Sequence, residues 1–190
     1  MRCRQLGILL AFVTAMFLSA QPAYAAGQCS ASTLKGAYSF SAHGELLGIF
    51  DTSVSPPVLH SLTTPILIDG VALQNFDGAG SFSRTDFLNT GGSPRGGQTA
   101  FNSNQHGTYT VNADCTGTMH IVYDSGAVLG VQMVLADNAR TIKAIISKET
   151  VPSFPPTSDR QCTEGCSIGV QVSLDGQKTR DRDRDRDGDH

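Results

Sequence analysis

The chain has 190 residues, 39% of them hydrophobic and 16% charged, with 14 basic side chains against 17 acidic ones. That length supports one domain with a core of its own. A formal charge of −3 excludes a general attraction to nucleic acid or to anionic lipid.

The first segment has the pattern of a secretory signal peptide. Arg2 and Arg4 supply the positive charge, Leu6 to Leu18 is a mostly apolar run, and Ala23-Tyr24-Ala25 presents the small residues a signal peptidase requires. The run is shorter than the roughly 20 residues a membrane span needs, so the pattern predicts cleavage after Ala25, not a retained anchor. Cys29 follows Gln28, where lipid attachment would require a small residue. The expected mature protein is secreted or periplasmic and has no membrane span. Cleavage removes two arginines and no acid, taking the formal charge from −3 to −5.

The next 152 residues, 26–177, read as one β domain. Tyr38, Phe40 and Ala42 alternate with Ser39, Ser41 and His43, the period of a half-buried strand. Strands are expected next at Ile66 to Gln74, Ser81 to Phe87, Gly107 to Asn112 and Thr116 to Tyr123. Val128 to Leu135, Arg140 to Lys148 and Ser167 to Leu174 complete a set of eight. Turn chemistry separates several of them, at Asp77-Gly78-Ala79-Gly80, Asn112-Ala113-Asp114 and Asp137-Asn138. No segment after Ala26 holds a helical period over three turns. Antiparallel strands at short spacing must hide one face and protect their edges, and closing into a single antiparallel, eight-stranded barrel does both. A β-sandwich is the alternative.

Three stretches break the rhythm and are expected as long loops: Leu47 to Pro65, Asn89 to Gln105 and Val151 to Cys166. The tail, residues 178–190, alternates Arg and Asp without an apolar side chain, a composition that predicts disorder. Asp183 to Gly188 imitates the start of a calcium loop, but the chain lacks the bidentate acid at its end and the flanking helices.

Cys29, Cys115, Cys162 and Cys166 remain after signal cleavage and allow three pairings. In an oxidising compartment two disulfides are expected over a zinc site, since no histidine lies near the close pair. The short spacing of Cys162 and Cys166 favours a local bridge, which leaves Cys29 with Cys115.

Catalytic chemistry is hard to place. His43, His60, His106 and His120 show no metal-binding spacing, so no metal site is expected. If Tyr38, Phe40, Met119 and Ile121 point inward, His43 and His120 point outward. Asp69, Asp77, Asp86, Asp114, Asp124 and Asp137 fall mostly at expected strand ends, where turn capping accounts for them. No Gly-x-Ser-x-Gly elbow, phosphate loop or His-Glu-x-x-His is present. The expectation is a non-enzymatic protein without a cofactor. An eight-stranded barrel can be filled by side chains or hold one small ligand, and Tyr38, Phe40, Tyr109 and Met119 are the candidate lining for a small apolar ligand. A structural or interaction role at the envelope, through the loops or tail, is the alternative, and a barrel-based cyclase or isomerase comes third.

One set of strings goes further. Cys29 precedes Leu34-Lys35-Gly36-Ala37-Tyr38, then come Phe76-Asp77-Gly78-Ala79-Gly80 and Gly107-Thr-Tyr-Thr-Val-Asn-Ala-Asp-Cys-Thr-Gly-Thr118. In this order they resemble a group of uncharacterised, secreted bacterial proteins with Cys…Leu-Lys-Gly-x-Tyr and Gly-Thr-Tyr-Thr-Val-Asn-x-Asp-Cys-Thr-Gly-Thr motifs. The segment Val134 to Ile142 is similar to their following hairpin. The resemblance spans Cys29 to about Ser147 and implies a lipocalin-like barrel with Cys29 paired to Cys115. It implies no activity and no binding residues, and the long loops, the second cysteine pair and the tail depart from it. Its residues suit a scaffold: Thr and Tyr favour strands, and Gly107 and Gly117 are expected to permit bends or bulges.

Overall fold

The computed structural model describes residues 29–179. The signal-peptide reading at residues 1–25 and the tail from residue 180 lie outside them.

Nine strands follow in chain order: β1 (Lys35–Asp51), β2 (Val58–Asp77), β3 (Ser81–Thr90), β4 (Ser93–Pro94), β5 (Asn102–Val111), β6 (Thr116–Val122), β7 (Val128–Ala136), β8 (Thr141–Val151) and β9 (Cys166–Lys178). Apart from the two-residue β4, each pairs antiparallel with the next, and β9 returns to β1 from Tyr38↔Lys178 to Ile49↔Ile168. The eight long strands therefore form a closed, up-and-down ring, a lipocalin-like barrel. An even number of sequential antiparallel strands lets the last run against the first, and closure leaves no free edge. A sandwich is excluded by that continuous hydrogen bonding.

Alternation supplies the core. Tyr38, Phe40 and Ala42 of β1, Met119 and Ile121 of β6, and Leu129, Val131 and Met133 of β7 are all buried on the inner face. The turns carry their own bonds: the Asp77 carboxylate accepts from the backbone N–H of Ala79, Gly80 and Ser81 at 2.7–3.0 Å. Asp114 likewise accepts from the Thr116 N–H and hydroxyl. Both carboxyls are held below their ordinary range, by the Ser81 amide foremost at Asp77 and by the Thr116 hydroxyl foremost at Asp114.

Several boundaries differ from expectation. Most of Leu47 to Pro65 is strand, with the connection confined to residues 52–57. Pro65 is tolerated because the β1–β2 pairing jumps from Leu46↔Ile66 to Gly48↔Ser61, so the proline sits where the ladder is already interrupted. β9 runs through Lys178, and the Thr179 N–H donates to the Ala37 carbonyl, so ordered chain passes the expected start of the tail. Gly107 and Gly117 are not bulges, since the β5–β6 register runs unbroken through both. They are sites of close approach: a Cβ on Gly107 would lie 2.1 Å from the His120 carbonyl and 2.3 Å from the Phe82 ring. The register breaks fall elsewhere, at Leu46/Gly48, Arg84/Asp86, Gly130/Val131 and Ile145/Glu149.

Candidate functional site

Up-and-down connectivity sorts the connections onto the two ends of the barrel. The hairpins β2–β3, β5–β6 and β7–β8 share one end with the start of β1 and the end of β9. The other end receives β1–β2, β3–β5, β6–β7 and β8–β9, and so gathers the three stretches that break the sequence rhythm.

The first end is closed. The turn Ala31–Thr33 lies across it, tethered by the Cys29–Cys115 disulfide, and Leu34 is completely buried. Beneath it, Phe76 packs edge-on against Tyr38 and Tyr109, with ring centroids 5.3 and 5.0 Å away. The second bridge joins Cys162 to Cys166, so no described cysteine is a thiolate available to zinc. Tyr38, Phe40, Tyr109 and Met119, the residues expected to line a binding space, are all buried inside the barrel. Tyr38 donates to the Ala139 carbonyl, Tyr109 to Ala31 and Leu34, and Met119 accepts from Gln74 Nε2 at 3.3 Å. They fill the closed half of the core, and none of them lines the cavities of the open half.

The open end holds a cavity of about 560 Å³. Leu46, Ile66, Ile68, Leu88, Val151 and Phe154 form much of its wall, and the mouth connections contribute Arg95, Gln98, Ser125 and Pro152. A water-sized extension of about 30 Å³ continues inward past Arg95, Tyr123 and Glu149 to Arg84.

A buried polar cluster forms one side of this space. Asp86 accepts from Gln105 Nε2 at 2.5 Å and from the Tyr123 hydroxyl at 3.2 Å, with Arg84 Nε 3.7 Å away. Arg84 in turn donates from Nη1 to Gln74 Oε1 at 3.2 Å. Such charges are tolerated inside a barrel only as paired, hydrogen-bonded sets. Burial pushes the Tyr123 hydroxyl up to about 12, with Arg84 opposing, so it remains a donor at neutral pH. Glu149 is also buried, and burial raises its carboxyl despite the Arg95 guanidinium, whose Nη2 lies 3.9 Å away. Arg95 additionally stands over the Tyr123 ring at 5.4 Å from its centroid.

At the rim, Arg160 Nη2 reaches Asp51 at 3.1 Å and His60 Nδ1 meets Asp159 at 2.9 Å. These contacts hold the β8–β9 connection against the β1–β2 hairpin. His43 and His120 are exposed, on the outward parity expected of them. Among the described residues no cluster of three or more His, Cys, Asp or Glu is arranged to hold a metal ion.

Reading the acids as turn caps fails for Asp86. β3 runs on to Thr90, so Asp86 lies inside the strand, on the inward parity. The signal was present: Phe82, Arg84, Asp86 and Leu88 share one face, two charges among apolar partners. Glu149 carried no such signal, because the break between Ile145 and Glu149 moves the inward face from Ile142 and Ile146 to Glu149 and Val151.

No family model and no curated protein matches the chain. Among solved structures it is similar to the S-type phycobiliprotein lyase CPES from Guillardia theta, at 8% identity over 85% of this chain and 99% of that one, with a TM-score of 0.42.

Proposed function

We propose that this is an exported, non-enzymatic barrel protein that binds a small, predominantly apolar ligand in the cavity at its open end. One observation carries the reading: a space of about 560 Å³ whose wall joins an apolar set, Leu46, Ile66, Ile68, Leu88, Val151 and Phe154, to polar groups that include Arg95, Gln98, Tyr123 and Glu149. That size is that of small-molecule sites, which typically span about 300–1,000 Å³. Export is supported by the pattern of residues 1–25 and by two disulfides, which persist in oxidising compartments.

A cyclase or isomerase would draw on Asp86 and Glu149 as acid and base. Asp86 is already engaged by Gln105 and Tyr123, which favours binding over proton transfer. An envelope interaction role has its own support in the apolar outer face of β2, where Leu67, Val71 and Leu73 are at least half exposed.

Native mass spectrometry of the exported, tag-free protein, followed by denaturing extraction, tests the proposal. A reproducible extra mass released as a small molecule is the expected result. A clean apo mass, together with no binding from a library of small apolar compounds, overturns it and favours the interaction role.

A further inference from the structure

Two donors of the cavity wall are buried and unmet. Arg84 is 4% exposed, lines the inner extension, and its Nε has no hydrogen-bond partner. The Thr90 hydroxyl, on the outer part of the same wall, is also buried without a partner. Arg95 contributes a guanidinium whose only ionic contact among the described residues is the loose one to Glu149. On the acceptor side Asp86 already receives two hydrogen bonds, while Gln105 Oε1 beside it is buried without a partner. Buried donors left unmet cost free energy that a ligand oxygen can recover.

Resting on the binding reading above, we propose that the ligand is an amphiphile whose apolar body fills the cavity and whose single carboxylate is held by Arg95 and Glu149. A guanidinium presents a planar fork that matches a carboxylate. Glu149 in its protonated form adds a donor, and in its ionised form it competes for Arg95. The other charged or titratable groups on this wall are Arg84, Asp86, Tyr123 and Asp124. With Glu149 protonated, two arginines face Asp86 and Asp124, a balanced wall that takes one added negative charge more readily than the two of a phosphate dianion. A cationic head would leave the Arg84 Nε donor unmet and would face the Arg95 guanidinium.

The test is calorimetric titration of the full exported protein with dodecanoate, dodecanol and dodecylamine, repeated on Arg95→Gln and Glu149→Gln. Dodecanoate is expected to bind at least about tenfold more tightly than either analogue, the range of a charge-assisted pair. Arg95→Gln should bring the carboxylate-to-alcohol ratio close to one. Glu149→Gln should tighten dodecanoate, because a competitor for Arg95 has become a donor. Tighter binding of the amine, or a carboxylate preference that survives Arg95→Gln, overturns the assignment. If no chain binds while native mass spectrometry releases some other molecule, the carboxylate class fails and the cavity reading stands. If both experiments are empty, both fail.

Discussion

The hydroxyl of Tyr109, on β5, donates to the carbonyl of Leu34 at 2.9 Å, across 75 positions of chain, and lies equally close to the Ala31 carbonyl. One hydroxyl proton thus ties the segment that closes the barrel to β5, and the Ala31 carbonyl also accepts from the Leu34 N–H at 3.1 Å. Tyr109→Phe keeps the ring and removes the donor to the buried Leu34 carbonyl, with an expected loss of about 1–3 kcal/mol in denaturant unfolding. Affinity at the open end should not change. A variant as stable as the parent would show that water replaces the hydroxyl at no cost.

The two disulfides differ in what they constrain. Cys29 and Cys115 are 86 positions apart and Cys162 and Cys166 only 4. Chain entropy then predicts that removing the long bridge costs about 4–5 kcal/mol and the short one about 2 kcal/mol. Paired Cys→Ser variants, compared by unfolding under non-reducing conditions, measure the difference. An equal loss from both would mean that native-state strain, not loop length, sets the contribution.

Gly107→Ala is expected to be among the worst substitutions of one methyl group in the barrel. The new Cβ meets the His120 carbonyl and the Phe82 ring well inside contact distance, and a backbone oxygen within a ladder cannot step aside. The expected cost is about 3 kcal/mol or more, read from the melting temperature. A shift of less than a degree or two would mean that β5 can move away from β6.

Glu149 sets a pH dependence of known sign. Burial raises its carboxyl, so the folded state favours the neutral form. Its ionisation destabilises the fold as pH rises from the ordinary carboxylate range through the raised value. Glu149→Gln should therefore raise the melting temperature at neutral pH, with a gain that vanishes at pH values below the ordinary Glu range. The lost Arg95 contact is long and partly exposed, so it offsets little. A gain independent of pH would remove ionisation as its cause.

Asp51 is held below the ordinary Asp range, first by the Ser53 hydroxyl and then by the Ser53 amide, with Arg160 and His60 adding to the effect. Its contribution is present above the ordinary Asp value and is lost as pH falls through the lowered one. Asp51→Asn should release Arg160, and trypsin should cut after Arg160 several-fold faster at neutral pH, with cleavage after Lys143 inside β8 as internal reference. Unchanged cutting would place the hold on the loop elsewhere, at His60 and Asp159 or at the Cys162–Cys166 bridge.

How much of this was legible in the sequence depends on the range of the interaction involved. Alternation, a local property, located all eight long strands and the outward parity of His43 and His120, because a side chain's face follows from its neighbours two positions away. The turn-cap reading of Asp86, with a strand ending at Phe87, misses that the same alternation runs on to Leu88 and puts Arg84 and Asp86 on an apolar face. Tyr38, Phe40, Tyr109 and Met119, the expected lining, do point inward. Alternation has no coordinate along the barrel axis, so it could not say that they belong to the closed half.

Turn chemistry and side-chain period are local, and they are enough to specify an all-β chain with closely spaced turns. Long-range pairing closes the ring, brings three irregular stretches to one mouth and turns Glu149 inward. Closure depends on β9 finding β1 across more than a hundred residues. The face of Glu149 depends on a register break that no pattern of neighbouring residues announces, and the cavity it borders exists only once every strand is in place.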